Sequence, residues 1–111
     1  MEVDRISAIV QELLKEMKVK DVVHIMLDGR RSIADEMFVA TCTSTRHVLG
    51  VADKMAKKLK EQDIPSFVEG THGDGDWILV DLGYVLIHLF TPEKREMYKI
   101  EELWKQTPPQ Y

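Results

Sequence analysis

A single cysteine, Cys42, stands among the 111 residues of the chain. A lone thiol excludes an intramolecular disulfide framework and any structural zinc site built on several thiolates, and it fits a reducing cytosol. An excess of positive charge is also missing. The formal net charge is −4, which argues against a protein whose main task is gripping a phosphate backbone and suits a basic partner better. Little direct nucleic-acid binding is expected. No run reaches the ~18–20 uncharged apolar residues that cross a bilayer. The opening "MEVDRISAIV" carries acids where a secretory signal needs a basic stretch. A cytoplasmic protein without membrane contact is therefore expected. Internal repeats, low-complexity tracts, a P-loop, a dinucleotide fingerprint and a nucleophile elbow are all absent from the sequence.

What is present is an ordinary globular composition: 44% hydrophobic and 31% charged residues, too aliphatic for intrinsic disorder. The length suits one domain, residues 1–106, with a loose tail over 107–111 introduced by Thr107-Pro108-Pro109. Between Asp4 and Lys18, the apolar residues Ile6, Ile9, Val10, Leu13, Leu14 and Met17 follow helical spacing. Val22 to Leu27 reads as a buried strand, followed by the turn signal Asp28-Gly29 and a polar crossing ending near Asp35. Met37 to Cys42 reads as a second strand. Ser44 or Thr45 can cap a helix whose apolar positions are Val48, Leu49, Ala52, Met55, Ala56 and Leu59. Ile64 to Glu69 is a short third strand, and the strand, helix, strand order favours a right-handed parallel crossover.

The loop "GTHGDGD" leads into "DWILVDLGYVLIHLF", Asp76 to Phe90, the most apolar stretch. Trp77 to Leu82 and Val85 to Phe90 are predicted as an antiparallel hairpin turning at Leu82-Gly83. That turn would pair Val80 with Val85, Ile78 with Ile87, Leu79 with Leu86, Asp81 with Tyr84 and Trp77 with His88. Alternation along each strand separates two faces. Ile78, Val80, Leu82, Val85, Ile87 and Leu89 form an aliphatic face suited to lie beneath helices. Trp77, Leu79, Asp81, Tyr84, Leu86, His88 and Phe90 form a mixed face of the kind found at interface cores. A second covering layer with Asp81 and His88 bonded internally would account for the same pattern. Thr91-Pro92 then opens one or two short helices ending near Gln106.

Several chemistries are spelled less fully. Asp74-Gly75-Asp76 has the spacing of two acids sharing a magnesium ion, a pattern shared with solvated turns. The remaining ligands of a helix-loop-helix calcium site are missing. His24, His47, His72 and His88 show no zinc-ligand spacing. Cys42 lies just before a helix start with His47 close by in sequence, which admits either a nucleophile or an inert buried thiol. "TSTRH" could bind phosphate through backbone N–H groups and Arg46, or simply cap a helix. "KMAKKLK", Lys54 to Lys60, is a basic helix face whose simplest reading is a solvated surface. No cofactor and no protein-bound metal are expected.

"TSTRHVLGVAD", "VEG", "DWILVDLGYVLIHLF" and "REMYKIEELW" together, in this order and spacing, resemble the ribosomal silencing factor family, also called the Iojap family. The likeness covers about Ile6 to Lys105. It implies a nucleotidyltransferase-like α/β fold, a mixed and mostly five-stranded sheet with helices packed on it, ending in the hairpin and short helices, without catalysis. It further implies binding to the large ribosomal subunit, chiefly through ribosomal protein L-fourteen. That contact would sterically block joining of the small subunit and so damp translation when nutrients are scarce, with a homodimer when free. Matching positions include Ser44-Thr45-Arg46-His47, Asp76-Trp77, Asp81, Gly83, His88, Arg95, Tyr98, Glu101, Leu103 and Trp104. The sequence departs from the family at Met26, Cys42 and Tyr84. Where the family usually carries acids, Met26 and Tyr84 stand instead. The candidate partner-binding set is Trp77 as anchor with Leu79, Asp81, Tyr84, Leu86, His88, Arg95, Tyr98, Asp76 and Glu69; Asp74 would add negative charge. The alternative is a nucleotidyltransferase-type enzyme using Asp74 and Asp76 for magnesium and "TSTR" for phosphates.

Overall fold

A computed structural model describes residues 2–27, 35–70 and 73–99. Its elements run α1 (Glu2–Glu16), β1 (Lys20–Met26), β2 (Glu36–Thr41), α2 (Thr45–Glu61), β3 (Phe67–Glu69), β4 (Trp77–Asp81), β5 (Val85–Phe90) and α3 (Pro92–Tyr98). The strands make one five-stranded sheet in the order β1-β2-β5-β4-β3. β2 pairs with β5 in parallel, and every other neighbouring pair is antiparallel. The α/β class and the mixed five-stranded sheet are those expected from the sequence. The Asp28-Gly29 turn, His72, and everything from Ile100 onward, including the second short helix and the tail, lie outside the described residues.

Helix α2 forms where periodicity and capping agree. Ser44 holds extended backbone and its Oγ accepts from the His47 N–H at 3.1 Å, satisfying one of the orphan donors of α2. Val48, Val51, Ala52, Met55 and Leu59 of α2, with Ile6, Val10, Leu13 and Leu14 of α1 and Met17 just after it, cover the aliphatic side of the sheet. There they bury Phe38, Ala40, Ile78, Val80, Val85, Ile87 and Leu89. Full burial of side chains this size stabilises by about 1.5–3 kcal/mol each before chain entropy is set against it. β2 is the central consequence. All six of its residues are buried, because it lies inside the sheet.

The crossover and the hairpin differ from expectation in informative ways. β2 and β3, joined by α2, do run in the same direction, but β5 and β4 lie between them. The third strand is shorter than Ile64 to Glu69. Ile64 turns its N–H back to Leu59 O at the end of α2 and buries its side chain there, so pairing starts only at Phe67. In the hairpin, Leu82 N–H bonds Val85 O at 2.9 Å, which makes Gly83-Tyr84 the turn in place of Leu82-Gly83. Gly83 takes φ +91, and the first central position of a type II′ turn is the one that demands positive φ. The observed partners are Trp77 with Phe90, Ile78 with Leu89, Leu79 with His88, Val80 with Ile87 and Asp81 with Leu86. This register is two residues from the predicted one. A shift of two leaves each side chain on its predicted face.

Candidate functional site

The mixed face lies on the side of the sheet away from α1 and α2. Its inner part is a second apolar cluster: Ile25, Met37, Val39 and Phe90 are buried, with Val23, Leu27, Trp77 and Leu86 packed partly against them. α3 closes one end of it. Arg95 straps that helix down, since its Nη1 donates to Thr41 Oγ1 at 2.8 Å and to the Asp21 carbonyl. Thr91 N–H adds a bond to Asp76 O at 3.0 Å.

Trp77 sits where strand and helix meet. Its ring is 5.2 Å from that of Phe90 and 4.8 Å from that of Tyr98, and its Nε1–H donates to His88 Nδ1 at 3.0 Å. With Nδ1 accepting, the neutral His88 ring carries its proton on Nε2. His88 is only 6% exposed, and burial pushes its imidazole from an ordinary pKa of 6.5 down to about 4. It therefore acts as an uncharged post that fixes the indole. The indole itself stays half-buried. A large aromatic held in one orientation and still partly open has little rotamer freedom left to lose on binding.

Outward from Trp77 the surface becomes aliphatic and acidic. Leu79 and Leu86 are half-buried, Asp81 is half-buried with its Oδ1 accepting from Gly83 N–H, and Tyr84 is 63% exposed. Glu69 pairs with Leu79 and Phe67 pairs with Asp81 across the β3–β4 ladder, so both project on this same side. Phe67 is 76% exposed. Sequence reasoning did not single it out, although an aromatic in a short edge strand opposite Asp81 was a usable signal once β3 was paired. Lys94 was missed as well. Its Nζ lies 3.8 Å from Asp76 Oδ2 and 5.8 Å from the Tyr98 ring centre, tying the acid beside Trp77 to the aromatic group.

The structure thus gathers Trp77, Tyr98, His88, Asp76 and, further along the sheet, Leu79, Leu86, Asp81 and Glu69. It assigns different duties within that set. His88 is buried and Arg95 is spent on Thr41 and Asp21, so these two shape the surface from within.

The parts named for other chemistry are placed differently. Asp76 shares a cavity of about 440 Å³ with Thr43, Ser44, Thr45, Thr91, Glu93 and Lys94. Asp74 is exposed and does not line it. Among the described residues, no three His, Cys, Asp or Glu side chains gather as a metal group. Cys42 is fully buried, with its thiol pushed up to about 11 by desolvation. His47 accepts from Thr43 N–H at Nδ1 (2.9 Å) and lies 3.0 Å from Met17 O through Nε2, joining the start of α2 to the end of α1. Its ring nitrogens are occupied by structure. A further polar pair was not foreseen: His24 stacks on Phe38 at 4.2 Å and meets the buried Glu36 carboxylate at 2.5 Å.

A single five-stranded sheet with two helices on one side and a strapped aromatic surface on the other defines a protein of α/β class. Residues 2–111 match the family model described as "Ribosomal silencing factor during starvation". The chain is 39% identical over 93 residues to the ribosomal silencing factor RsfS of Haemophilus influenzae, covering 84% of this chain and 91% of that protein. It is 36% identical over 96 residues to a mouse protein named mitochondrial assembly of ribosomal large subunit protein 1, covering 83% of this chain and 42% of that one. A crystal structure of a Chromobacterium violaceum protein superimposes with a TM-score of 0.87 at 37% identity, covering 100% of this chain and 92% of the other. The chain belongs to the ribosomal silencing factor family. Its relatives carry the name of regulators of the ribosome, and no catalytic activity is indicated by them. Among the described residues, no helix is long and apolar enough to cross a membrane.

Proposed function

We propose that this protein docks its mixed face onto a basic protein of the large ribosomal subunit, chiefly L-fourteen, and by its bulk there keeps the small subunit from joining. The observation that carries this reading is the Trp77 indole, held from behind by His88, Phe90 and Tyr98 while one side remains open. Leu79, Leu86, Tyr84 and Phe67 extend the apolar contact, and Glu69, Asp76 and Asp81 give it a negative rim. Such a rim attracts a basic partner, raises the association rate and weakens with salt. The action is steric, without turnover of substrate. The name of the mouse relative, which speaks of assembling a large subunit, supports the choice of subunit. The free protein is cytoplasmic and pairs with a second copy of itself.

Co-sedimentation with purified large subunits tests this. Trp77→Ala removes an anchor whose truncation costs about 2 kcal/mol or more of binding if it is a hot spot, a loss of some thirtyfold in affinity. Because Trp77 also supports α3, Phe67→Ser is run beside it: that side chain is largely exposed in the free protein and contributes little to folding. Both variants should remain folded by circular dichroism and pellet less with subunits. If both bind like wild type, the mixed face is not the docking surface.

A further inference from the structure

The outer face of α2 has a charge opposite to that of the molecule as a whole, and neither the core nor the docking surface uses it. The helix carries Arg46, Lys54, Lys57, Lys58 and Lys60 against Asp53 and Glu61, a net +3 in a chain of net −4. All five cations are exposed. Lys57 is held by Asp53 at 3.3 Å, whereas Arg46, Lys54, Lys58 and Lys60 have no ion pair among the described residues. Arg46, Gly50, Lys54 and Lys58 follow one another at intervals of four residues, which sets them along one i, i+4 row of the helix.

Gly50 is the second observation. Glycine disfavours a helix interior relative to alanine, yet a Cβ at Gly50 would meet nothing within 4 Å, and no positive φ requires glycine there. Nothing among the described residues calls for it. A bare stretch of backbone between two cations is suited to close approach by another backbone. The stripe also begins beside the docking surface: Ser44 and Thr45, just before Arg46, share a cavity with Asp76 and Lys94.

We propose that this stripe is a second contact, made with the phosphate backbone of ribosomal RNA bordering the docked protein; the proposal rests on the docking reading above. Regularly spaced, unpaired cations around a side-chain-free gap complement a run of phosphates. The net acidity of the chain keeps its affinity for free RNA low. Once the mixed face has docked, the RNA is presented at high effective concentration and the contact becomes productive.

The test uses the full chain, purified large subunits and isolated L-fourteen protein. In Arg46→Gln/Lys54→Gln/Lys58→Gln, affinity for subunits should fall about tenfold at low salt, and the slope of log K against log salt should shrink by about two to three. Affinity for the isolated protein should stay at the wild-type value. Gly50→Leu should weaken subunit binding severalfold while the helix content is kept. Unchanged subunit affinity and slope would overturn the proposal, and so would an equal loss toward the isolated protein, which would make the stripe a protein contact. Failure of the docking reading shows separately, as wild-type subunit binding by Trp77→Ala while the α2 variant still loses affinity.

Discussion

Acidification should destabilise this protein through one residue, His88. Its imidazole is 6% exposed, accepts the Trp77 indole proton at Nδ1, and titrates at about 4 in the folded state because burial disfavours the cation. In the unfolded chain the same group titrates near 6.5. The depressed folded value belongs to a base. Between pH 6.5 and 4 the unfolded state therefore takes up a proton that the folded state refuses, and stability rises with pH across that window. At ~1.4 kcal/mol for each pH unit separating the two values, the whole effect is about 3 kcal/mol. Going from about pH 7.5 to about pH 5 exposes about 2 kcal/mol of it, a large part of a margin of 5–15 kcal/mol. Urea denaturation of wild type and His88→Gln at both pH values isolates the contribution, since glutamine can still accept from the indole but does not titrate. The stability gap between the two proteins should narrow by about 2 kcal/mol at the lower pH. Parallel losses in both proteins, or a His88 ring resonance titrating near 6.5 in the folded state, would refute the reasoning.

Two further outcomes follow from the backbone and the thiol. Gly70 has φ +97 and a Cβ there would stand 2.6 Å from Trp77 O, whereas Gly83 has φ +91 with nothing within 4 Å. Thermal unfolding should therefore show Gly70→Ala costing about 2–3 kcal/mol or more and Gly83→Ala only about 1 kcal/mol, the strain of positive φ alone. Cys42, fully buried with its thiol raised to about 11, should resist iodoacetamide at neutral pH until denaturant is added; fast native labelling read by mass spectrometry would contradict its burial.

The two faces of the hairpin were legible because strand alternation has a period of two. Even a turn misplaced by one residue, at Leu82-Gly83 instead of Gly83-Tyr84, which moves the register by two, left Trp77, Leu79 and Asp81 on the side predicted for them. The helices were legible for a similar reason: the Ser44 cap and the spacing of Val48, Ala52, Met55 and Leu59 are local signals. What the sequence hid depends on contacts between distant elements. His88 reads as a polar interruption of a strand, and only its bond to Trp77 shows it to be an internal post. Arg95 reads as a docking cation until its reach to Thr41, 54 residues away, is seen. Phe67 was passed over because a three-residue edge strand after Pro65 carries too short a pattern to show a face.

The parallel pairing of β2 with β5 also constrains how the chain matures. Glu36 lies opposite Val85 and Thr41 opposite Phe90, so the central strand waits for partners some fifty residues downstream. Long closures of this kind are slow and leave apolar backbone open meanwhile. During synthesis, residues 36–41, all buried in the finished sheet, can pair only with β1 until the hairpin has been made and released from the exit tunnel. The mixed face is not complete before that moment. The half-made sheet is the stage at which aggregation or a chaperone would intercept the chain.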